Sequence, residues 1–371
     1  MKKNLFLNFD FYGAGNLGDD MMLDGFIRNG LLSNTKIFCN IPRDTIHQQF
    51  RFPEIQFIDR NARKETASNC GIWLGVGDTP VQVKSGEWFL VKLERDAQLQ
   101  DRLKNSWFMV GIGVEKEAVS LKKRYSEVLR RVEKIWTRDE VSREILINEF
   151  GYNSDSVFAS ADLANISLER FFRENVNENE RKYDLGLCYY DEEIDPVAIS
   201  SLRSFLKALK TQKKTIIFFA NDVNANGMFE KNLYKIITTQ YMRLIKGGIK
   251  LHTPNYFSQK SLEQLCSHFR NYDTVMTSRY HALLAASWAG CKVVSLQRSS
   301  KVSALAKELG ITEVKKPYLV SELTDAFISA KPVGKDKLAE LSSKAKESIL
   351  QIQTILGISE TDNRLLPGDN D

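Results

Sequence analysis

Short apolar runs alternate with longer stretches in which apolar residues recur every three or four positions along most of the chain. The short runs are typical of buried β-strands, and the longer stretches are typical of amphipathic helices. Strands separated by helices of about 10–15 residues predict parallel sheets that are covered by helices on both faces. In the first half, the predicted strands are 5–9, 36–41, 55–58, 71–76, 107–114 and 134–137, and the predicted helices are 18–32, 88–103, 121–132 and one that ends at 150.

A polar stretch at 173–182 interrupts this alternation, which then resumes. We therefore predict an N-terminal α/β domain at 1–172, a linker at 173–182 and a C-terminal α/β domain at 183–332. After the linker, the predicted strands are 184–190, 215–220, 249–252 and 292–296, with helices at 197–209, 229–245, 261–269 and 301–309. The segment 333–358 has one apolar helix face and is expected to pack on the body of the protein, whereas 359–371 predicts a flexible tail.

The 371 residues are 43% hydrophobic and 27% charged, which is typical of a globular protein with two domains. A net charge of +5 is too small to indicate a nucleic-acid partner, although it permits an anionic substrate. The five scattered cysteines form no C-x-x-C pair, so we expect reduced thiols and no cysteine-based metal site. Because no segment approaches about 20 apolar residues, we expect a cytoplasmic protein without a membrane span.

The predicted helix 121–132 carries a run of lysines and arginines. Such a face is usually solvated, and the alternative is attraction to anionic lipid. A peripheral contact at the inner face of the membrane is therefore the second interpretation of its charge.

The stretch Ser278-Arg279-Tyr280-His281 lies where an apolar run ends and a helical pattern begins. Ser278 is a candidate N-cap, which would place Arg279 and His281 in the first helical turn. Cations at a helix N-terminus oppose the helix dipole, so this arrangement favours a bound anion there. The alternative is that Arg279 pairs with a carboxylate elsewhere and His281 is an ordinary buried histidine.

The next strand-to-helix junction repeats this arrangement with Arg298 and Lys301. Two neighbouring cationic helix starts could line one anion pocket, since arginine suits a carboxylate and lysine suits a phosphate.

Residues Gly13 to Gly18 match G-x-G-x-x-G between a strand and a helix, the dinucleotide-binding pattern. Asp19 and Asp20 would repel a pyrophosphate, and the second strand lacks the acidic residue expected on the ribose. A neutral, hydroxyl-rich ligand therefore fits better, with a close backbone approach at a glycine-rich turn. The candidate contacts are Gly15, Asn16, Gly18 and the two aspartates. The alternative is that the aspartates only complement the dipole of their own helix.

Further candidates follow other strands, where ligands of α/β proteins gather. Asp78 follows the run 71–76, Arg138 follows 134–137, and Asp162 lies later in the same half. Arg138 could instead pair with Asp139 or Glu140. Metal-ligand spacing, G-x-S-x-G, Walker A and H-E-x-x-H patterns are all absent from the sequence.

Taken in order over about residues 5–310, these motifs resemble the polysaccharide pyruvyl transferase family. The matching pieces are Tyr12-Gly13, Asn16-Leu17-Gly18-Asp19, Gly111-Ile112-Gly113, Arg138-Asp139 with Ser142, Asp162, Ser278-Arg279-Tyr280-His281-Ala282 and Lys301. Three positions depart from the family pattern: Asp78 closes a segment where the family often has a run of glycines, Tyr280 replaces an aliphatic residue and Leu163 replaces a proline.

The resemblance implies an α/β protein of two Rossmann-like domains facing a cleft (GT-B-like), with a C-terminal helix that packs back on the body. It implies phosphoenolpyruvate as donor, a saccharide or lipid-linked oligosaccharide as acceptor, a pyruvate ketal as product and no cofactor. Donor binding would fall to Arg279 and Arg138, with Ser278, Tyr280, Arg298 and Lys301 beside them.

His281 is the expected proton donor, because a bound phosphate would favour its protonated form. Asp19 or Asp20 would orient the acceptor hydroxyls or act as base, and Gly15, Asn16, Gly18 and Asp78 would contact the acceptor. Two alternatives stay open at this point. One is a GT-B glycosyltransferase that uses a nucleotide sugar, and the other is a non-catalytic saccharide-binding protein of the same fold.

Overall fold

The computed structural model describes residues 3–29, 35–40, 45–83, 86–173, 181–191, 195–209, 213–217, 228–238, 249–252, 256–257 and 261–357. The described chain forms two compact units. The first unit comprises Met1–Ala14, Asp19–Ser167 and Glu340–Asp371, and the second comprises Gly15–Gly18 and Leu168–Ala339. The predicted tail 359–371 and all but the ends of the predicted linker 173–182 lie outside the described residues.

The first unit contains a seven-stranded sheet in which every pairing is parallel. Its strands are β1 (Lys3–Leu7), β2 (Thr35–Asn40), β3 (Ile55–Ile58), β4 (Ile72–Val76), β5 (Ser106–Ile112), β6 (Lys134–Thr137) and β7 (Val157–Ala159). They lie in the order β3-β2-β1-β4-β5-β6-β7. The helices along this half of the chain are α1 (Leu17–Arg28), α2 (Thr45–Arg51), α3 (Arg63–Ser68), α4 (Trp88–Leu103), α5 (Lys122–Leu129), α6 (Glu140–Asn148) and α7 (Ala164–Phe171).

The second unit contains a parallel sheet to which one short antiparallel strand is added. Its strands are β8 (Tyr183–Cys188), β9 (Lys214–Ile217), β10 (Ile249–His252), β11 (Tyr272–Thr277), β12 (Lys292–Leu296), β13 (Thr312–Val314) and β14 (Lys331–Pro332). The parallel order is β10-β9-β8-β11-β12-β13, and β14 pairs with β12. The helices are α8 (Pro196–Ala208), α9 (Met228–Thr238), α10 (Leu262–Ser267), α11 (Tyr280–Trp288), α12 (Ser300–Leu309) and α13 (Val320–Ser329).

The alternating strand and helix order confirms the predicted α/β class. The basic helix predicted at 121–132 is instead a short 3-10 helix, Lys116–Leu121, followed by α5. Four predicted elements extend past the described residues: 30–32 of the first helix, 41 of the second strand, 218–220 of a strand and 239–245 of a helix. The periodicity did not identify seven elements, most of which are short: β7, β13, β14, α2, α3, α7 and α13.

The last helix, α14 (Lys335–Leu356), buries the apolar face that the sequence predicts. Ala345 and Ile349 on that face are fully buried. In the first unit, the indole nitrogen of Trp136 donates to Gln351 at 2.7 Å, and the hydroxyl of Ser160 donates to the carbonyl of Lys344 at 3.2 Å. The C-terminal part of α14 is therefore held by the first unit through both apolar burial and hydrogen bonds.

Strand order reverses once in each sheet, between β1 and β4 in the first and between β8 and β11 in the second. We call these positions the first and the second switch point. Ligands of parallel α/β sheets bind beyond the carboxyl ends of the strands at such reversals. The topology therefore directs attention to the residues that follow these four strands.

Candidate functional site

A serine hydroxyl joins the two strand ends at the second switch point. Ser278, directly after β11, accepts from the backbone nitrogen of Tyr190 at 2.9 Å and donates to the carbonyl of the same residue at 2.8 Å. Tyr190 follows β8, so both strand ends are fixed to one another. The predicted N-cap role of Ser278 is wrong, because α11 begins at Tyr280 and its N-cap position is Arg279, without a side-chain cap.

Arg279 and Arg298 pack against the same aromatic ring. The guanidinium carbon of Arg279 lies 5.0 Å from the ring centroid of Tyr190, and that of Arg298 lies 4.9 Å from it. Arg279 and Tyr190 are both buried. The two arginines follow adjacent strands, since Thr277 of β11 is in register with Ser295 of β12. A tyrosine ring attracts cations through its quadrupole, so Tyr190 offsets part of the repulsion between these two charges.

Tyr190 is the residue that sequence reasoning missed. It stands two positions after β8 in an apolar and aromatic run, where nothing in the local pattern distinguishes it from a core residue. Its role depends on Arg279 and Arg298, which are distant in sequence. Lys301 lies in the first turn of α12 and is half-buried, which places a further cation after the same strand as Arg298.

His281 packs directly against the backbone of Gly18. A Cβ atom added to Gly18 would lie only 2.0 Å from Nδ1 of His281, so any larger residue would displace the imidazole. Both residues belong to the second unit, because the short segment Gly15–Gly18 groups with it. The ring of Tyr280 packs edge-on with the imidazole, with ring centroids 5.2 Å apart.

Asn16 and Gly15 have local roles in the glycine-rich turn. The side-chain oxygen of Asn16 accepts from the backbone nitrogen of Gly18 at 3.1 Å and so caps α1. Gly15 has φ of +114°, which a residue with a side chain rarely adopts. The turn is thus shaped by its own hydrogen bond and by its glycine, and it presents Gly18 to His281.

The first switch point is joined by a tyrosine hydroxyl. Tyr12 donates to the carbonyl of Val76 at 2.6 Å and accepts from the nitrogen of the same residue at 3.2 Å. Burial, together with the nearby Cys39 thiol and Asp19 carboxylate, raises the pKa of Tyr12 well above its ordinary value. The hydroxyl therefore stays protonated and keeps both hydrogen bonds across the neutral and mildly alkaline range.

The two aspartates of α1 differ in their contacts. Asp20 is fully buried and accepts from Arg51 at 2.8 Å, from Gln48 at 3.0 Å and from the backbone nitrogen of Gly13 at 3.0 Å. These contacts give Asp20 a structural role in holding the glycine-rich turn. Asp19 is also buried, and its charge acts on Tyr12.

Asp78 lies at the carboxyl end of β4 in a left-handed conformation, with φ of +62°. Its carbonyl accepts from the backbone nitrogen of Gly113 at 2.7 Å, which fixes that conformation. Left-handed non-glycine residues are uncommon, and aspartate is among those that tolerate the region. Such strain is concentrated at functional sites.

Arg138 follows β6 and lies in the first unit. A Cβ atom on Gly113 would lie 2.4 Å from its guanidinium carbon, so Gly113 is needed for this packing. Its Nε is 3.5 Å from Asp139, whose side chain also caps α6 by accepting from Ser142 at 2.7 Å. Asp162 likewise accepts from the nitrogen of Ala164 at 2.9 Å, at the start of α7.

Carboxylates partly neutralise the basic helix α5 and its C-terminal end. Arg124 forms a bidentate pair with Glu94 at 2.6 and 2.8 Å, and Arg131 forms one with Asp101 at 2.6 and 2.7 Å. The arginines lower the pKa of both carboxyl groups. These pairs favour the interpretation of a solvated face.

Within the described ranges, no helix is both long and apolar enough to cross a membrane. The same part of the chain brings together no group of three or more histidine, cysteine, aspartate or glutamate side chains suited to a metal ion. Cys39, Cys70, Cys188, Cys266 and Cys291 are buried, and none of these five forms a disulfide.

Solved structures resemble this chain over nearly its whole length. They include a UDP-GlcNAc 2-epimerase from Methanocaldococcus jannaschii, with a TM-score of 0.65, 15% identity and coverage of 96% of this chain and 100% of that one. A putative UDP-N-acetylglucosamine 2-epimerase from Listeria monocytogenes has a TM-score of 0.64 and 12% identity, with coverage of 97% and 98%. Anabaena HepE in complex with UDP has a TM-score of 0.55 and 11% identity, with coverage of 97% and 98%. At these identities the likeness concerns the fold alone, and it confirms the predicted GT-B-like class.

A comparison with curated proteins finds no match. The family model described as polysaccharide pyruvyl transferase, in contrast, matches residues 16–300. That range includes Asn16 to Gly18 of the glycine-rich turn, the second switch point, and Arg279, His281 and Arg298. The chain therefore belongs to the polysaccharide pyruvyl transferase family and is a transferase.

Proposed function

We propose that this transferase moves the enolpyruvyl group of phosphoenolpyruvate onto two hydroxyls of a saccharide, forming a cyclic pyruvate ketal and releasing phosphate. The product would be a building block or segment of a surface polysaccharide. One observation carries the proposal: two arginines share the ring of Tyr190 at the second switch point, beside a histidine in the first turn of α11. This cluster suits a small ligand with two anionic groups.

Arg279 and Arg298 are assigned to the carboxylate and the phosphate of the donor. Planar guanidinium groups bind both anions through two parallel hydrogen bonds, which a lysine cannot do. The N-terminus of α11 adds partial positive charge at the same place. Lys301 would supply a further charge to the phosphate, and Arg138 of the first unit is a second candidate for the donor.

His281 is assigned as the general acid. The methylene carbon of the donor takes a proton from the imidazole, and C2 becomes electrophilic. One acceptor hydroxyl attacks C2, the bond from C2 to the phosphate oxygen breaks, and the second hydroxyl closes the ketal. The proton of one hydroxyl returns to His281, and the proton of the other leaves with phosphate. The reaction includes no redox change, so we propose no cofactor.

The acceptor is assigned to the carboxylates of the first unit, where Asp19 and Asp78 would orient hydroxyls or accept a proton. Neutral hydroxyls tolerate acidic surroundings that would repel the anionic donor. Since phosphoenolpyruvate is a metabolite of the cytoplasm, the proposal places the reaction there, with a lipid-linked acceptor as the reason for any contact with the membrane surface.

The test is phosphate release from phosphoenolpyruvate across soluble and lipid-linked saccharides, with mass spectrometry of the product. We expect phosphate in amounts equal to the ketal formed. Calorimetry with UDP-sugars is the matched comparison, because Anabaena HepE was solved in complex with UDP. Binding and turnover of a UDP-sugar, without use of phosphoenolpyruvate, would replace the proposal with a glycosyltransferase. Saccharide binding without any transfer would instead favour a non-catalytic binding protein.

A further inference from the structure

Trp88 differs from the other tryptophans of the first unit in its exposure. Trp73, Trp107 and Trp136 are fully buried in the sheet, whereas Trp88, the first residue of α4, is 49% exposed. An indole ring in water exposes a large apolar surface that folding leaves unburied.

Trp88 packs against a buried aromatic neighbour. Its ring stacks on Phe89 with centroids 5.0 Å apart and an interplanar angle of 17°. Phe89 is buried and packs edge-on against Phe9 and Phe11, with ring centroids 5.0 and 5.6 Å apart. One face of the indole is therefore supported by a buried ring, which lowers the side-chain entropy lost when a ligand covers the exposed part of Trp88.

The aromatic cluster lies at the first switch point. Phe9 and Phe11 belong to the chain that follows β1, and Phe11 packs on Tyr12, which joins that chain to the end of β4. One turn along α4 from Trp88, the amino group of Lys92 lies 3.9 Å from the carboxylate of Asp10. Trp88 thus stands at the reversal where a ligand of this sheet is expected.

Two partly exposed carboxylates accompany the indole at this edge. The side chain of Asp10, directly after Phe9, is 23% exposed. Asp78 follows β4, is half-buried and keeps its left-handed backbone, and its charge acts on Tyr12. Carboxylates accept hydrogen bonds from hydroxyls and repel phosphates. Lys92 offsets part of the charge of Asp10, so the preference for an uncharged ligand over a nucleotide at this indole rests mainly on Asp78.

A pyranose ring combines the two properties that this surface matches. One of its faces presents C–H groups that pack on an aromatic ring, and its rim carries hydroxyls that donate to carboxylates. We propose that Trp88 is the stacking platform for a pyranose ring of the saccharide acceptor, with Asp10 and Asp78 receiving its hydroxyls. The inference rests on the proposed function for the identity of the acceptor, and it names the subsite that binds that acceptor.

The first measurement uses saccharide without donor. Acrylamide quenching of tryptophan fluorescence is recorded for the full chain with methyl glycosides of glucose, galactose, mannose and N-acetylglucosamine, and with their β-linked disaccharides. Trp88 is much more exposed than the three sheet tryptophans, and Trp288 of the second unit is partly exposed. A bound sugar should therefore lower the quenchable fraction in the wild type and leave it unchanged in Trp88→Phe. A saccharide that binds by calorimetry and leaves the quenching unchanged would overturn the proposal.

The second measurement uses variants. Trp88→Ala should raise the KM for the acceptor about tenfold, equal to about 1.4 kcal/mol, whereas Trp88→Phe should stay within about threefold of wild type. Asp78→Asn, which tolerates the same backbone, should weaken saccharide binding as well. The KM for phosphoenolpyruvate should not change in any of the three. Phe50→Ala is the matched control, since Phe50 is an exposed aromatic residue on α2.

The two proposals fail in different ways. If phosphate is released and Trp88→Ala keeps the wild-type KM for the acceptor, the platform is wrong and the proposed function stands. If no acceptor supports phosphate release while a saccharide still protects Trp88 from acrylamide, the proposed function is wrong and the platform stands.

Discussion

At the first switch point, the hydroxyl of Tyr12 joins the chain after β1 to the end of β4, and at the second, the hydroxyl of Ser278 joins the chains after β8 and β11. In both cases the hydroxyl donates to a carbonyl and accepts from the nitrogen of the same residue. The two points are thus built alike, but the residues around them differ in charge. Asp10, Asp19 and Asp78 accompany the first, together with Lys92 and Arg63, which bond the carbonyl of Asn8 after β1. Arg279, Arg298, Lys301 and His281 accompany the second, together with Asp191 after β8. The balance is therefore more acidic at the first point and more cationic at the second.

This difference separates what the fold decides from what the side chains decide. Parallel pairing and the reversal of strand order determine where each sheet can hold a ligand. The residues that follow the strands determine which ligand charge is favoured, because charges that are shielded from water act strongly on a bound group. The same architecture can therefore receive an anionic donor at one reversal and a neutral polyol at the other.

The largest expected effect follows from removing the acid at the second switch point. His281→Ala should lower kcat by about 10²–10⁴, the usual contribution of a general acid. Calorimetry should still detect phosphoenolpyruvate, since the arginines remain. Wild-type turnover of the variant, measured by phosphate release, would remove His281 from this role.

The next effect concerns the position of His281 rather than its chemistry. Gly18→Ala places a methyl group where Nδ1 of His281 now lies, so the imidazole must move. A displacement of about 1 Å can cost about 10² in rate. Alanine has a higher helix propensity than glycine. A loss of helix propensity therefore cannot explain a lower kcat in Gly18→Ala.

Gly334→Ala is the control for Gly18→Ala. A Cβ atom at Gly334 has no atom within 4 Å, and the backbone is not in the left-handed region. This variant should keep wild-type kcat. An unchanged kcat in Gly18→Ala as well would show that the imidazole can occupy a second position without loss of function.

A smaller effect is expected from the ring between the arginines. Tyr190→Leu removes two cation–π contacts and should raise the KM for phosphoenolpyruvate about tenfold with little change in kcat. Tyr190→Phe keeps the ring and should have the kcat and the KM of the wild type. If the structure needed the hydroxyl of Tyr190, this variant would differ from the wild type. If the leucine and phenylalanine variants lower kcat equally and leave KM unchanged, Tyr190 does not position the arginines.

The smallest effect distinguishes the two hydroxyl bridges. Tyr12→Phe should lower the free energy of unfolding by about 1 kcal/mol at pH 8, because two hydrogen bonds to Val76 are lost. The folded pKa of Tyr12 is raised, so above about pH 10 the unfolded state releases this proton and the folded state retains it. Wild-type stability therefore falls as pH rises there, by up to about 1.4 kcal/mol per pH unit for this group.

Tyr12→Phe has no phenolic proton to release. The difference in the free energy of unfolding between this variant and the wild type should therefore shrink between pH 9 and pH 11, as measured by urea unfolding. Ser278→Ala is the counterpart at the second switch point. Serine does not titrate in this range. The loss in free energy of unfolding caused by Ser278→Ala should therefore be the same at pH 9 and at pH 11. A pH-independent difference for Tyr12→Phe would contradict the raised pKa.

Much of the architecture could be predicted from local patterns. The apolar strand runs, the parallel α/β class and the apolar face of α14 depend on spacing within one element, which the sequence displays directly. The cationic helix starts at Arg279 and Arg298 were visible for the same reason, because each lies within a few residues of a strand end. Short elements such as β13 and α3 were missed, since too few residues carry their period.

The contacts that build the site could not be predicted in this way. Ser278 was predicted to cap its own helix, but its hydroxyl instead bonds Tyr190, 88 residues away. The contact of Asp20 with Arg51, 31 residues away, was likewise not visible in any local pattern. The packing of Tyr190 against the two arginines and the contact between Gly18 and His281 could not be seen in the pattern of neighbouring residues either.

The contacts of Ser278, Asp20 and Tyr190 follow from the order in which strands come together in each sheet. That order depends on how the apolar faces of many elements are buried at once, and no short stretch of sequence contains that information. Local periodicity thus accounts for the elements and for the sign of the charges that follow the strands. Three features are properties of the folded chain: the ring that two arginines share, the glycine that contacts the histidine, and the hydroxyls that bridge the reversals of strand order. Each of them joins residues that are close only after the protein has folded.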